Sequence, residues 1–192
     1  MRINGSASKP ASSLRVAVFM PKSSRFLIAL AAAASLAVAV AAQPAYAAAR
    51  PAAPRLTPAQ ARAILITAAR RHNVNPNFVL AVSYWESGWN QSAVSRTGAI
   101  GLMQIEPYTA AWAGPALLHR HVNLHNASDN AELGAALLRS YLTQLHDPKL
   151  VLAAYYQGMT AVKTRGIFPS SRTYVNGIWR LRNQFQASRL GG

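Results

Sequence analysis

Apolar positions recur along most of this chain at helical spacing, and no stretch shows sustained alternation of period two. The first periodic segment opens at Thr57-Pro58-Ala59-Gln60, a capping-box pattern. It runs to about Arg71 with Ala61, Ile64, Leu65 and Ala68 on one stripe. Asn75 is the next expected N-cap, and Pro76 suits the first helical position because its missing N–H costs nothing there. The short apolar helix it opens stops after Ser87, where Gly88 supplies a left-handed end. A Gly-rich turn follows, then a helix opened by Pro107 and a less regular loop over residues 114–126. Asp129 and Glu132 form another capping box, with Leu133, Leu137, Tyr141 and Leu145 at helical spacing behind it. Asp147-Pro148 starts a helix through Tyr156, ended by Gly158. A short turn ends at Gly166, and Ser170 or Ser171 opens a last amphipathic helix through about Phe185. The pattern predicts an all-α fold.

The segment ahead of these helices has a different character. Lys22 and Arg25 precede an unbroken small-apolar run over residues 26–42, and Ala45-Tyr46-Ala47 follows as an A-x-A cleavage site. Residues 1–47 are therefore expected to be an export signal peptide, with Met20 as an alternative start. The run is shorter than a comfortable membrane span, so an uncleaved anchor is the lesser alternative and no stable anchor is expected after cleavage. Residues 48–56 read as a Pro/Ala-rich linker, and residues 57–187 as one domain. There is no cysteine, hence neither a lipoprotein anchor nor a disulfide, and the exported domain must rely on its core.

The chain carries 20 Lys plus Arg against 5 Asp plus Glu. Five of the cations (Arg2, Lys9, Arg15, Lys22 and Arg25) precede the cut, whereas all the acids follow it, so the domain itself remains basic. The cations are scattered and accompanied by no nucleic-acid-binding motif. Attraction to an anionic cell wall accounts for them better than nucleic acid does. The expected location is exported: periplasm, cell wall or extracellular.

One acid is placed where helix stability does not want it. Glu86 sits in the last turn of its helix, at the negative end of the dipole and directly after Tyr84 and Trp85. Repulsion and desolvation both disfavour its ionised form, and a carboxyl that stays protonated near neutral pH is what a general acid requires. A buried structural glutamate with a hydrogen-bonded partner is the plainer alternative. Of the other acids, Asp129, Glu132 and Asp147 are explained as caps or first-turn acids, and Glu106 stands before Pro107. His119, His121 and His125 share one loop, but without cysteine or nearby acids they read as polar surface, so neither metal nor cofactor is expected.

Residues 84–110 carry more than an isolated acid. Glu86-Ser87, Trp89-Asn90, Ser95, Gly98, Gly101-Leu102-Met103-Gln104-Ile105, Pro107 and Thr109-Ala110 stand at one fixed spacing. This segment resembles the catalytic domain of the soluble lytic transglycosylases, relatives of goose-type lysozyme that cleave the glycan of peptidoglycan. The block at 152–162 resembles the family's Ala-Tyr-Asn-x-Gly segment, and Tyr174-Val175 its C-terminal Tyr-Val. The resemblance spans roughly Thr57 to Phe185. It implies a compact lysozyme-like helical domain with a substrate cleft, acting as a monomer on peptidoglycan glycan strands. Glu86 is implied as the single acid and base that cleaves the MurNAc–GlcNAc β-1,4 bond, with the sugar's N-acetyl group assisting, to leave 1,6-anhydroMurNAc ends.

Other positions follow from the same match. Ser87, Ser95, Met103, Gln104, Tyr155, Tyr156 and Tyr174 are the implied substrate-binding residues. Ser87 is alternatively a cap or a partner of Glu86, and Met103 alternatively a core residue. Tyr155 matches the family tyrosine whose hydroxyl approaches the acid. Tyr156 replaces the usual Asn, which puts subsite preference in question, and Glu106 replaces a frequent Met. Glu106 is read either as an acid beside the following helix or as a second cleft carboxylate that positions water. The runner-up functions are a lysozyme-type muramidase and a catalytically silent wall-binding module.

Overall fold

The computed structural model describes residues 55–188, so the expected export signal and most of the expected linker lie outside the described residues. The described residues form seven α-helices: α1 (Pro58–Arg71), α2 (Pro76–Ser87), α3 (Pro107–Ala113), α4 (Ala127–Leu145), α5 (Pro148–Gln157), α6 (Met159–Arg165) and α7 (Arg172–Ser188). Among the described residues the only β pairing is a pair of isolated bridges, Val94 with Ile100 and Ile100 with Ile105, which fold the Gly-rich turn. No described helix is long and apolar enough to cross a membrane.

The centre of the fold is α2. Asn77 to Ser83 are buried on every side of it, which is why its sequence lacks an amphipathic stripe. It packs against α1 on one side and α7 on another. Asn77 donates through Nδ2 to Gln186 Oε1 at 2.8 Å, and Glu86 meets Tyr174, so α2 and α7 run antiparallel. Leu65, Leu80, Leu102, Met103, Leu133, Leu138, Leu152 and Ile178 are fully buried and draw α1, α2, the Gly-rich turn, α4, α5 and α7 into one core.

The caps of α1 and α2 form as their sequences predict. Thr57 and Gln60 bond reciprocally, and Asn75 Oδ1 accepts from the amides of Asn77 and Phe78. Gly88 ends α2 with φ +61°. Three expectations are corrected. The N-cap of α4 is Asn126, which accepts from Ser128 and Asp129 N–H. Asp129 and Glu132 are instead taken up by Arg120 in charge-assisted pairs, Glu132 by Arg71 as well, and Asp129 Oδ2 also accepts from Asn123 N–H at 2.8 Å in the preceding loop. The segment before Gly166 is a helix and not a turn, since Gly158 leaves the helical region and its carbonyl at once accepts from Val162 N–H to start α6. Within the loop over 114–126, Gly114–Leu118 continues α3 as a π-helical turn, as Pro115 cannot donate to the regular ladder. A 3₁₀ turn, Pro169–Ser171, precedes α7.

One polar side chain organises the Gly-rich turn. Asn130 on α4 is fully buried. Its Oδ1 accepts from Met103 N–H at 2.8 Å, and its Nδ2 donates to Ile100 O at 2.8 Å and Leu124 O at 3.1 Å. Gly101 has φ +79°, and a Cβ there would lie 2.5 Å from Asn130 Nδ2, so this contact requires glycine on both conformational and steric grounds.

Candidate active site

The last turn of α2 carries Glu86 out of the core to the point where α5 and α7 cross its end. The Tyr174 hydroxyl, from the first turn of α7, donates to Glu86 Oε1 at a short 2.5 Å. Tyr155, from α5, stands close enough that the Glu86 charge raises its pKa. Burial pushes the Glu86 carboxyl above its ordinary pKa, and the Tyr174 hydrogen bond opposes that rise without cancelling it. Among the described residues Oε2 has no protein partner, which leaves it as the oxygen free to carry a proton.

The aromatic cover of Glu86 therefore differs from the one its sequence neighbours suggest. Tyr84 and Trp85 are 47% and 41% exposed, with Tyr84 turned to Trp89 and Phe185. Successive helical residues diverge by about 100°, so the side chains next to Glu86 in sequence leave the helix in other directions. The cover comes from α5 and α7 instead. Of the two tyrosines near the acid, Tyr174 bonds it, whereas the Tyr155 hydroxyl donates to Met103 O at 2.8 Å. Burial holds both phenols well above the usual tyrosine range, with the Glu86 charge adding to it, so both remain proton donors.

The remaining sequence candidates divide between wall and surface. Tyr156 is 58% exposed and stacks on Tyr174, with ring centroids 4.7 Å apart, so it presents an aromatic face beside the acid. Ser87 does not bond Glu86; its hydroxyl donates to Leu102 O at 3.0 Å and Ser83 O at 3.2 Å, which clamps the Gly-rich turn to α2. Ser95 accepts from Thr97 and Ala99 N–H and pairs with the Thr97 hydroxyl. Gln104 uses Nε2 on the carbonyls of Ala93 and Gly101, leaving its carbonyl oxygen for other partners. Met103 is fully buried against Gly134, so its side chain is packing and its backbone carbonyl serves Tyr155. Glu106 makes no side-chain cap to α3 and accepts the Thr97 hydroxyl at 2.7 Å, as part of the turn's bracing.

A groove of about 780 Å³ is lined by Trp112, Tyr141, Gln144, Gln157, Met159 and Phe168, among others. Gln157, which lines this groove, ends α5 two residues after Tyr155, so the groove opens at the C-terminal end of that helix. Trp112, Tyr141 and Asn130 escape a reading of the sequence by motif. Asn130 does leave a trace there: it is a polar residue on the apolar stripe that continues through Leu133 and Leu137.

The model of the transglycosylase SLT domain matches residues 63–167. A transglycosylase of Enterobacteria phage PRD1 is 36% identical over 91 residues, covering 47% of this chain and 32% of that protein. The membrane-bound lytic murein transglycosylase C of Pectobacterium atrosepticum is 30% identical over 128 residues, covering 58% of this chain and 34% of that protein. Among solved structures, an inactive mutant of the lytic transglycosylase Slt from Pseudomonas aeruginosa aligns at 25% identity and TM-score 0.60, over 65% of this chain and 24% of that one. The 70-kDa soluble lytic transglycosylase in complex with bulgecin A aligns at 22% identity and TM-score 0.63, over 69% and 25%. The chain thus spans about a third of these curated relatives and about a quarter of these solved chains.

Proposed function

Because the chain belongs to the transglycosylase SLT domain family, we propose that it is a peptidoglycan lytic transglycosylase in which Glu86 serves as the single acid and base. The observation that carries this reading is the Glu86 carboxyl itself, enclosed at the end of the central helix with its pKa raised and one oxygen held by Tyr174. A structural glutamate has no need of that arrangement, and neither does a silent binding module.

In this mechanism Oε2 of protonated Glu86 delivers its proton to the glycosidic oxygen as that bond breaks. The sugar's N-acetyl group stabilises the developing cation, which removes the need for a second carboxylate. The carboxylate now present is stabilised by the Tyr174 hydroxyl, whose hydrogen bond strengthens as charge appears on Glu86. Glu86 then takes the proton of the C6 hydroxyl, whose oxygen closes on the anomeric carbon to form the 1,6-anhydro end. Acid and base are one group, so the proton inventory balances at the end of each turnover. Glycan strands of peptidoglycan are the substrate, the groove lined by Trp112 and Tyr141 holds them, and the exposed Tyr156 ring offers a stacking face beside the bond that breaks. An exported location follows from that substrate.

Mass spectrometry of the sugar ends released from purified peptidoglycan tests the reading. Anhydromuramoyl ends are expected, and they should persist in Glu106→Gln, since Glu106 is engaged with Thr97 in bracing the turn. Reducing ends that disappear in Glu106→Gln would identify a muramidase with Glu106 positioning the water.

Tyr174→Phe is expected to lower kcat about 10- to 100-fold, the worth of a hydrogen bond to a charged group. The hydrogen bond lowers the Glu86 pKa, so its removal lets that pKa rise further. The alkaline limb of the pH–rate profile should therefore move to higher pH. A limb that stays in place would separate Tyr174 from the acid's titration.

A further inference from the structure

A second groove of about 670 Å³, which shares no lining residue with the groove assigned to the glycan strand, lies between α2 and α7. Its volume falls within the ~300–1,000 Å³ common for small-ligand sites. The floor is made by Gly177. A Cβ there would lie 2.2 Å from the Trp85 indole, so the missing side chain lets the ring settle against the backbone of α7. Trp85 is thereby held in place while remaining 41% exposed, and Tyr84 lies beside it at 47%. Along α7 the positions facing the ring are Asn176, Arg180 and Gln184, all exposed polar side chains. Arg180 makes no ion pair among the described residues.

Two exposed aromatic rings flanked by amides and a guanidinium match the surface chemistry of a sugar. The C–H face of a pyranose lies on an aromatic ring, and its hydroxyl and acetamido groups need side chains that both donate and accept. A fixed ring also binds at low entropic cost. The groove adjoins the acid as well: Trp85 precedes Glu86 and meets Tyr174 edge-to-face, with ring centroids 6.3 Å apart. We propose that the α2–α7 groove is a second saccharide-binding site, which holds N-acetylated sugar units of a strand apart from the cleavage groove. The ligand class rests on the glycan-cleaving reading above.

The test is a titration of isotope-labelled Glu86→Gln protein with the N-acetylglucosamine tetramer, followed through backbone amide shifts. That background cannot consume the ligand by the proposed chemistry. Two groups of residues should respond, one around Trp112 and Tyr141 and one at Asn176, Gly177 and Arg180. Adding Asn176→Ala and Arg180→Ala should weaken the second response about tenfold and leave the first in place. Trp85→Ala should abolish the second. A response confined to the Trp112–Tyr141 groove would overturn the inference and leave the function standing. A response in the α7 groove alone would support it while counting against the assigned cleavage groove. Silence in both would count against both. A parallel titration with the dipeptide alanyl-glutamate separates the other class of wall ligand: shifts at Arg180 with the dipeptide and none with the sugar would make this a peptide site and overturn the proposal.

Discussion

Glu86→Gln is expected to reduce release of soluble fragments from peptidoglycan by at least about 10³-fold, within the range that a general acid contributes. The loss should fall in kcat, since the amide keeps the size and the Tyr174 contact of the carboxyl but has no proton to deliver or receive. Stability should move the other way. The wild-type carboxyl has a raised pKa in the fold, so ionising it costs more there than in the unfolded chain. That cost is absent below the unfolded-state pKa, and it grows as pH rises from the ordinary value towards the raised one. Glutamine never incurs it. Glu86→Gln should therefore match the wild type in acid and exceed it in thermal stability at neutral pH. Dead catalysis with equal or higher Tm would separate a chemical role from a structural one. A variant that cleaves as the wild type does would remove Glu86 as the acid, and one that is inactive because it is unfolded would make the residue structural.

The second large effect is expected at Asn130, which touches no groove. Asn130→Ala leaves Met103 N–H without its buried partner and removes one of two donors from each of the carbonyls of Ile100 and Leu124, which keep Ile105 N–H and Gln91 Nε2. At about 1–3 kcal/mol for the orphaned amide and about 0.5–1.5 kcal/mol for each of the two lost bonds, less what water entering the space recovers, a net loss of about 3 kcal/mol is expected. For a domain of this size that lowers Tm by roughly 10 °C. Asn130→Asp discriminates the cause: it keeps the acceptor for Met103 N–H, loses both donations and buries a charge, so it should be no better than alanine. Circular dichroism melts of the two variants decide the matter. An Asp variant as stable as the wild type would show that the two donated bonds contribute nothing.

What could be read from the sequence was whatever is local to it. The caps at Thr57 and Asn75, the prolines that open helices and the glycine that closes α2 act over a few residues, and each fixes a boundary. Glu86 at the end of α2 is legible for the same reason, and the family resemblance rests on a contiguous pattern. The surroundings of Glu86 are another matter. Which tyrosine bonds the acid depends on α7 lying antiparallel on α2, a contact between residues 88 positions apart that no spacing rule carries. The cap of α4 was misassigned because Asp129 and Glu132 have a choice of partners, and two arginines outside the motif decide it. The helix α6 escaped notice because seven residues between two glycines are too few for a period to show.

The closure of α7 over the end of α2 also sets a timetable. Every other described helix precedes α7 in the chain, so during synthesis the central helix exists before the tyrosine that will cover its last turn. Until α7 docks, Glu86 lacks the Tyr174 hydrogen bond and the part of its cover that α7 supplies. The chemistry proposed for this protein therefore comes into being when α7 docks, and an unfolded chain carries only an ordinary acidic side chain.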